Sequence, residues 1–278
     1  MKKIEPEILT DIEAKLAAET KKYVQIIKDE YLELIPRSKI EYLDDIKDFK
    51  EVVCIKQTNT ISMFVRGGVI YFPLNAFDII SHMKKIPGFG IKKNHITCEK
   101  ENIIENDNTF SDYIKHVFLS GLTPQEFYEE TLLHETIHLC GVGGASPLRE
   151  GIAELKTREL AQKYDLKTSA CGYPKELKIA LELQNIFGES IVNEIAFAIN
   201  DTEIIDMLDK KLGTDAADFY VKLSREMNYQ FSKYQVKEFS GLLGPIKKLK
   251  EYDKIDYSSA KPIIDSYKSN IKKGAGLK

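Results

Sequence analysis

Tryptophan is absent from this sequence, and histidine occurs only five times and cysteine four times in 278 residues. The cysteines, Cys54, Cys98, Cys140 and Cys171, are widely spaced and form no CxxC pair. That excludes a disulfide framework and a thiolate zinc knuckle, and leaves reduced, mostly buried thiols as the expectation. Positive charge is not in excess either: 40 Lys and Arg face 43 Asp and Glu, for a formal net charge of -3. Nothing here neutralises a phosphate backbone, so nucleic acid is not expected as a partner. No apolar run reaches the roughly 18–20 residues that span a bilayer. The start, Met1-Lys2-Lys3-Ile4-Glu5-Pro6-Glu7, meets acidic residues and proline where a signal sequence carries its apolar core. A cytoplasmic protein without membrane contact is the expectation. Internal repeats, low-complexity linkers and charge blocks are also missing. What remains is an ordinary soluble composition, 43% hydrophobic and 30% charged, long enough for one large domain or two lobes. Its Lys- and Ile-rich, Trp-free character suits a low-GC bacterium. Nothing in it fixes an oligomeric state.

Along the chain, apolar residues at helical spacing from Pro6 to Leu34 (Ile8, Ile12, Leu16, Val24, Ile27, Leu32) predict an amphipathic helix stopped by Pro36, a packing or lid element. Between Glu51 and Pro73 the texture turns to strands: Val52 to Ile55, Ile61 to Val65, and Val69 to Phe72, the last two joined by an Arg66-Gly67-Gly68 hairpin turn. Val69 to Pro73 is read as an edge strand that could pair with an extended peptide. A short helix from Asn75 to Lys85, a turn at Pro87 to Gly90 and a strand around His95 to Glu99 follow, then a polar loop near Asn106 to Asn108. From Phe110 onward the pattern is helical, with breaks at Gly121, Gly141 to Pro147, Gly172 to Pro174, Gly188, Gly213 and Gly244-Pro245. The last residues, Lys272 to Lys278, are expected to fray. The fold class is therefore α+β. An N-terminal mixed half with a small twisted sheet spans 1–140, and an all-helical half spans 141–278, the two sharing an interface.

His134-Glu135-Thr136-Ile137-His138 is an HExxH, informative in a chain with so few histidines. Thr123 as N-cap, Pro124 at the first helical position and Glu126 as the capping-box acid start a helix that Phe127, Leu132, Leu133, Ile137 and Leu139 carry to Gly141. Four helical residues advance about 6 Å and turn about 40° past a full rotation, so both imidazoles share a face and can hold one Zn²⁺. Glu135, one step round, can reach a metal-bound water and act as general base. A third ligand is needed. No histidine follows His138, which excludes the downstream histidine of metzincins. The next candidates are Glu150 and Glu154, four apart on one face of a helix that Ser146 caps and Pro147 opens.

An HExxH followed by an EGxAE helix resembles the gluzincin class of zinc metallopeptidases, the superfamily of thermolysin and the zinc aminopeptidases. The specific resemblance runs from Thr123 to Leu155. It implies a zincin-like fold with the active-site cleft between the two halves, and Glu150 as the metal ligand. Glu154 then matches the acidic position that accepts a hydrogen bond from a ligand histidine. Two departures stand out. Only 11 residues separate His138 from Glu150, so the glycine-containing loop between them must turn back tightly, and Arg149 replaces the usual small polar residue before the glutamate. Such a site also calls for an oxyanion donor. Of 14 tyrosines, Tyr173, in the turn after the second ligand helix, is the first candidate and Tyr164 the second.

Other features weigh less. Gly141, Gly143 and Gly144 lack the preceding strand and the lysine of a phosphate cradle. Cys140 falls off the imidazole face and reads as a packed thiol. His82, His95 and His116 read as surface or satisfied core residues. The expected function is zinc-dependent hydrolysis of a peptide or protein substrate. The alternative is a zincin-fold binding or regulatory protein with little or no proteolysis.

Overall fold

Prolines and glycines set most of the element ends in the computed structural model of this chain, which describes residues 6–56, 63–74, 90–92, 95–97, 124–141, 146–166, 173–234, 252 and 254–275. Helix α1 (Pro6–Tyr31) buries Ile12, Leu16, Val24 and Ile27 along one stripe and lies against the HExxH helix. It is a packing element. Pro36 does stop the pattern, but a second helix, α2 (Arg37–Asp45), starts directly after it and buries Leu43. A 3₁₀ turn over Phe49–Val52, capped by the Asp48 carboxylate on the Lys50 N–H at 2.9 Å, takes up Val52, the expected first strand residue.

Strands β1 (Val53–Lys56), β2 (Phe64–Arg66) and β3 (Val69–Pro73) form one sheet in the order β1-β3-β2. β3 pairs in parallel with β1 (Val53 opposite Ile70, Lys56 opposite Pro73) and antiparallel with β2 (Phe64 opposite Tyr71). This corrects the sequence reading of Val69–Pro73 as an edge strand: both of its sides are occupied, so it cannot take up a peptide as an added strand. The β2–β3 turn is the expected one, with positive φ at Gly67 (58°) and Gly68 (79°), as a tight hairpin needs. Gly68 has a further reason to lack a side chain, since a Cβ would lie 2.7 Å from the Tyr42 hydroxyl, which donates to the Gly68 carbonyl at 3.0 Å. Strands β4 (Gly90–Lys92) and β5 (His95–Thr97) make a separate antiparallel pair.

The remaining elements are helical: α3 (Pro124–Cys140), α4 (Pro147–Tyr164), α5 (Pro174–Phe187), α6 (Glu189–Phe197), α7 (Asp201–Leu212), α8 (Thr214–Lys233) and α9 (Ala260–Ala275). The expected breaks fall at Gly188 and Gly213, both at positive φ. The break between α6 and α7 carries neither glycine nor proline. It is made by Asn200, whose side chain accepts from the Glu203 N–H at 3.0 Å, while the Glu203 carboxylate turns back to the Ile199 N–H in the manner of a capping box. α9 runs on to Ala275, so Lys272 and Lys273 sit in a helical last turn, where their charge complements the dipole, while residues 276–278 of the expected frayed end lie outside the described residues. No helix among the described residues is long and apolar enough to cross a membrane. The expected helix over 75–85, the loop near 106–108, the N-cap Thr123, the glycine loop 142–145, Cys98, Cys171, His82 and His116 lie outside the described residues.

Apolar burial forms two clusters. The first joins α1, the sheet and α3 through Leu16, Ile27, Ile70, Phe72, Leu132 and Ile137. The second joins α5 to α9 through Leu183, Val192, Ile204, Leu223 and Ile264. Helix α4 feeds both, giving Ala153, Leu160 and Ala161 to the first and Leu148, Ile152 and Leu155 to the second.

Candidate metal centre

Residues 132–140 of α3 are all buried, so the imidazole face of this helix looks into protein and not into water. His134 and His138, one helical turn apart, bring their Nε2 atoms to 3.1 Å, with the rings edge to face at a centroid distance of 4.9 Å. The third donor comes from α4. Ser146 accepts from the Arg149 N–H at 3.3 Å and Pro147 fills the first position, which fixes where the helix starts and places Glu150 in its first turn. Glu150 Oε2 then lies 3.2 Å from His134 Nε2 and 3.2 Å from His138 Nε2. Among the described residues, His134, His138 and Glu150 are the one group of His, Cys, Asp or Glu side chains close enough to hold a metal ion.

Does the triangle fit a cation? A tetrahedral site with bonds of about 2.0–2.1 Å has donor–donor edges of about 3.3–3.4 Å. The observed edges of 3.1 and 3.2 Å come close to that. Two ring nitrogens and a carboxylate oxygen at such separations repel one another unless positive charge lies between them. Where no metal is bound, a proton must do this. Burial disfavours a charged His134, but the neighbouring carboxylates Glu150 and Glu154 and the charge of Glu135 outweigh it and raise its pKa to about 10. Burial likewise works against a charged Glu150, yet His138 and His134 hold its carboxyl far below the usual range. The donor set is one that selects a cation.

Glu154, one turn further along α4, lies with Oε2 3.3 Å from His134 Nδ1, an ion-pair distance without the alignment of a full hydrogen bond. Its other oxygen accepts from Arg158 Nε at 3.0 Å. Glu135 is buried beside the two imidazoles; burial pushes its carboxyl up, against the pull of both histidines. Tyr173 immediately precedes α5 and stacks its ring on His134 at 5.4 Å and 21°. The charge of Glu150, with burial, raises its phenol well above the ordinary value and keeps it a neutral donor. Tyr164 is not part of the site. At the far end of α4 it hydrogen-bonds Glu30 of α1, and that bond pushes its pKa up to about 12. Cys140 is a packed thiol, fully buried, and burial pushes it up to about 12. His95 lies in β5. Arg149 points inward, with Nη2 2.6 Å from Asp201 Oδ1.

Two supporting residues escaped the sequence reading. Lys39 of α2 donates to the Leu139 carbonyl at 3.3 Å and holds the last turn of α3 beside His138. Glu176 of α5 is buried and accepts from the hydroxyls of Tyr252 at 2.6 Å and Tyr257 at 2.8 Å, bracing the helix that presents Tyr173. Both contacts span roughly 75 to 100 residues of sequence, where no local pattern reports them. No family model, curated protein or solved structure matches this chain.

Proposed function

We propose that the chain is a zinc-dependent metallopeptidase that hydrolyses bonds of a peptide or protein substrate. The observation that supports this most is the triangle of His134 Nε2, His138 Nε2 and Glu150 Oε2 at 3.1–3.2 Å, with Glu135 buried next to it. The likeness of HExxH plus EGxAE to gluzincins lends it further weight, and two imidazoles with one carboxylate suit zinc. Zinc held by these three residues would supply a Lewis acid and a water acidified to near neutrality.

The remaining steps belong to the chain's own side chains. The Glu135 carboxylate takes the proton of the attacking water and gives it back at the departing amine nitrogen; the burial that raises its pKa suits a base that must later act as an acid. Tyr173 Oη donates to the carbonyl oxygen as it gains charge. Glu154 favours the His134 tautomer with its N–H at Nδ1, which would leave the Nε2 lone pair free to hold zinc.

Zinc content and cleavage of a peptide library test the reading together. The wild type should bind one zinc and cut. Glu135→Gln and Tyr173→Phe should keep the zinc and lose turnover by roughly 10²-fold or more, and Glu150→Ala should lose the zinc. Zinc binding without any cleavage would instead favour a binding or regulatory protein built on the same scaffold. A Glu135→Gln protein that cuts like its parent refutes the general-base role.

A further inference from the structure

Arg149 replaces the usual small polar residue before Glu150, and its side chain is spent only in part on the Asp201 carboxylate and on the buried Tyr220 hydroxyl, whose pKa its charge works to lower. Its Nε is fully buried and has no hydrogen-bond partner. Beside it lies a cavity of about 10 Å³ lined by Ile137, His138, Arg149, Ile152, Ile195 and Ala196, among others. That is about the space of one water, which also needs two to four polar partners. The walls offer them. His138 uses Nε2 for the donor triangle, so the ring nitrogen on its other side, Nδ1, is left to face away from the metal position. Helix α6 ends at Phe197, so the carbonyls of Ile195 and Ala196 fall in its last turn, where no helical N–H reaches them.

A ligand histidine needs an acceptor for its outer N–H, and the two histidines differ here. His134 has Glu154 at 3.3 Å. Among the described residues His138 meets its carboxylate and imidazole neighbours through Nε2, and no carboxylate takes the Nδ1 side as Glu154 does for His134.

We propose that the cavity holds a single structural water that accepts from Arg149 Nε–H and from His138 Nδ1–H and passes its own hydrogens to the α6 carbonyls. Arg149 is thereby a positioning residue for the metal ligand His138, acting through this water. The role rests on the metal-centre reading above; the water itself does not.

The test uses the full chain with zinc and with cobalt(II). Arg149→Met keeps the length of the stem and removes Nε, and should lower zinc affinity about tenfold while shifting the cobalt d–d absorption. Asp201→Asn weakens the ion pair to Nη2 but leaves Nε in place, and should bind both metals like the parent. A purely structural Arg149 predicts the opposite, equal loss of stability in both variants and no change at the metal. Metal binding by Arg149→Met equal to wild type, or an equal loss in Asp201→Asn, overturns the proposal. Absence of metal from the wild type overturns the centre and the role with it. If Arg149→Met does not fold, a crystal structure of the wild type decides: a water about 3 Å from both nitrogens upholds the proposal, and a dry cavity overturns it.

Discussion

Replacing Gly151 by alanine sets two effects of opposite sign against each other. Gly151 lies inside α4, directly after the ligand Glu150. For a glycine within a helix, alanine should stabilise by about 1 kcal/mol through helix propensity alone. The packing says otherwise. A Cβ at Gly151 would lie 2.4 Å from the Glu176 carbonyl oxygen and 2.6 Å from its carbon, where ordinary contact begins near 3.4 Å. Those atoms are backbone, so no rotamer change relieves the clash, and α4 and α5 must move apart by about 1 Å. Overpacking of this kind costs about 1–3 kcal/mol, and main chain against main chain belongs at the upper end. The net expectation is destabilisation of about 1–2 kcal/mol by urea unfolding. The same displacement shifts Glu150 against the histidine pair, so zinc affinity, read by competition with a chromophoric chelator, should fall about tenfold. A variant as stable as its parent, or more so, with unchanged zinc affinity would refute the close α4–α5 approach and the placement of Glu150 that depends on it.

Two further outcomes follow from the same centre. His134 titrates at about 10 in the zinc-free protein, so its stabilising charge is fully present below about 6.5 and is lost as pH rises through about 10; Glu150 works the other way, contributing above about 4.3 and losing that contribution as pH falls below the unfolded value. Zinc must displace the His134 proton, so calorimetry near neutral pH in buffers of different ionisation enthalpy should read about one proton released per zinc, with affinity weakening towards acid; release of none contradicts the assignment. Glu150→Ala should lower zinc affinity more than Glu154→Ala, because Glu150 touches both imidazoles while Glu154 reaches only the outer nitrogen of one. The reverse order would exchange their roles.

The His134, His138 and Glu150 cluster that could hold a metal was legible in the sequence because its spacings are local. HExxH fixes two donors by helical rotation, and Ser146-Pro147 sets the register of Glu150. Tyr173 could be picked out only as a tyrosine near a helix start, and the stack on His134 is a tertiary fact. The helices that carry the donors were recognised from their caps. Periodicity served them poorly, since residues 132–140 and 151–157 are buried on every side and show no solvent-exposed face. Where caps were less conspicuous, the reading failed: α2 is short, and the α6–α7 break depends on Asn200 and Glu203. The edge assignment of Val69–Pro73 failed for another reason. Pro73 hints at an edge, but it is the last residue of its strand, and the next N–H, that of Leu74, makes the bond to the Lys56 carbonyl at 2.7 Å.

The arrangement of α4 explains why a helix so lacking in an apolar stripe is stable. At about 100° per residue, Leu148, Ile152 and Leu155 lie on one side and enter the second core, while Ala153, Leu160 and Ala161 lie on another and enter the first. Glu150 and Glu154 flank Ala161 on the side that faces the first core, towards the imidazoles of α3. A buried and a partly buried carboxylate there would destabilise the junction if left unpaired. Paired with two histidines and a cation, they become the polar contact between the two cores. The site is therefore also a fastening, and binding of metal should stabilise both clusters together, as expected for a ligand bound only by the folded state.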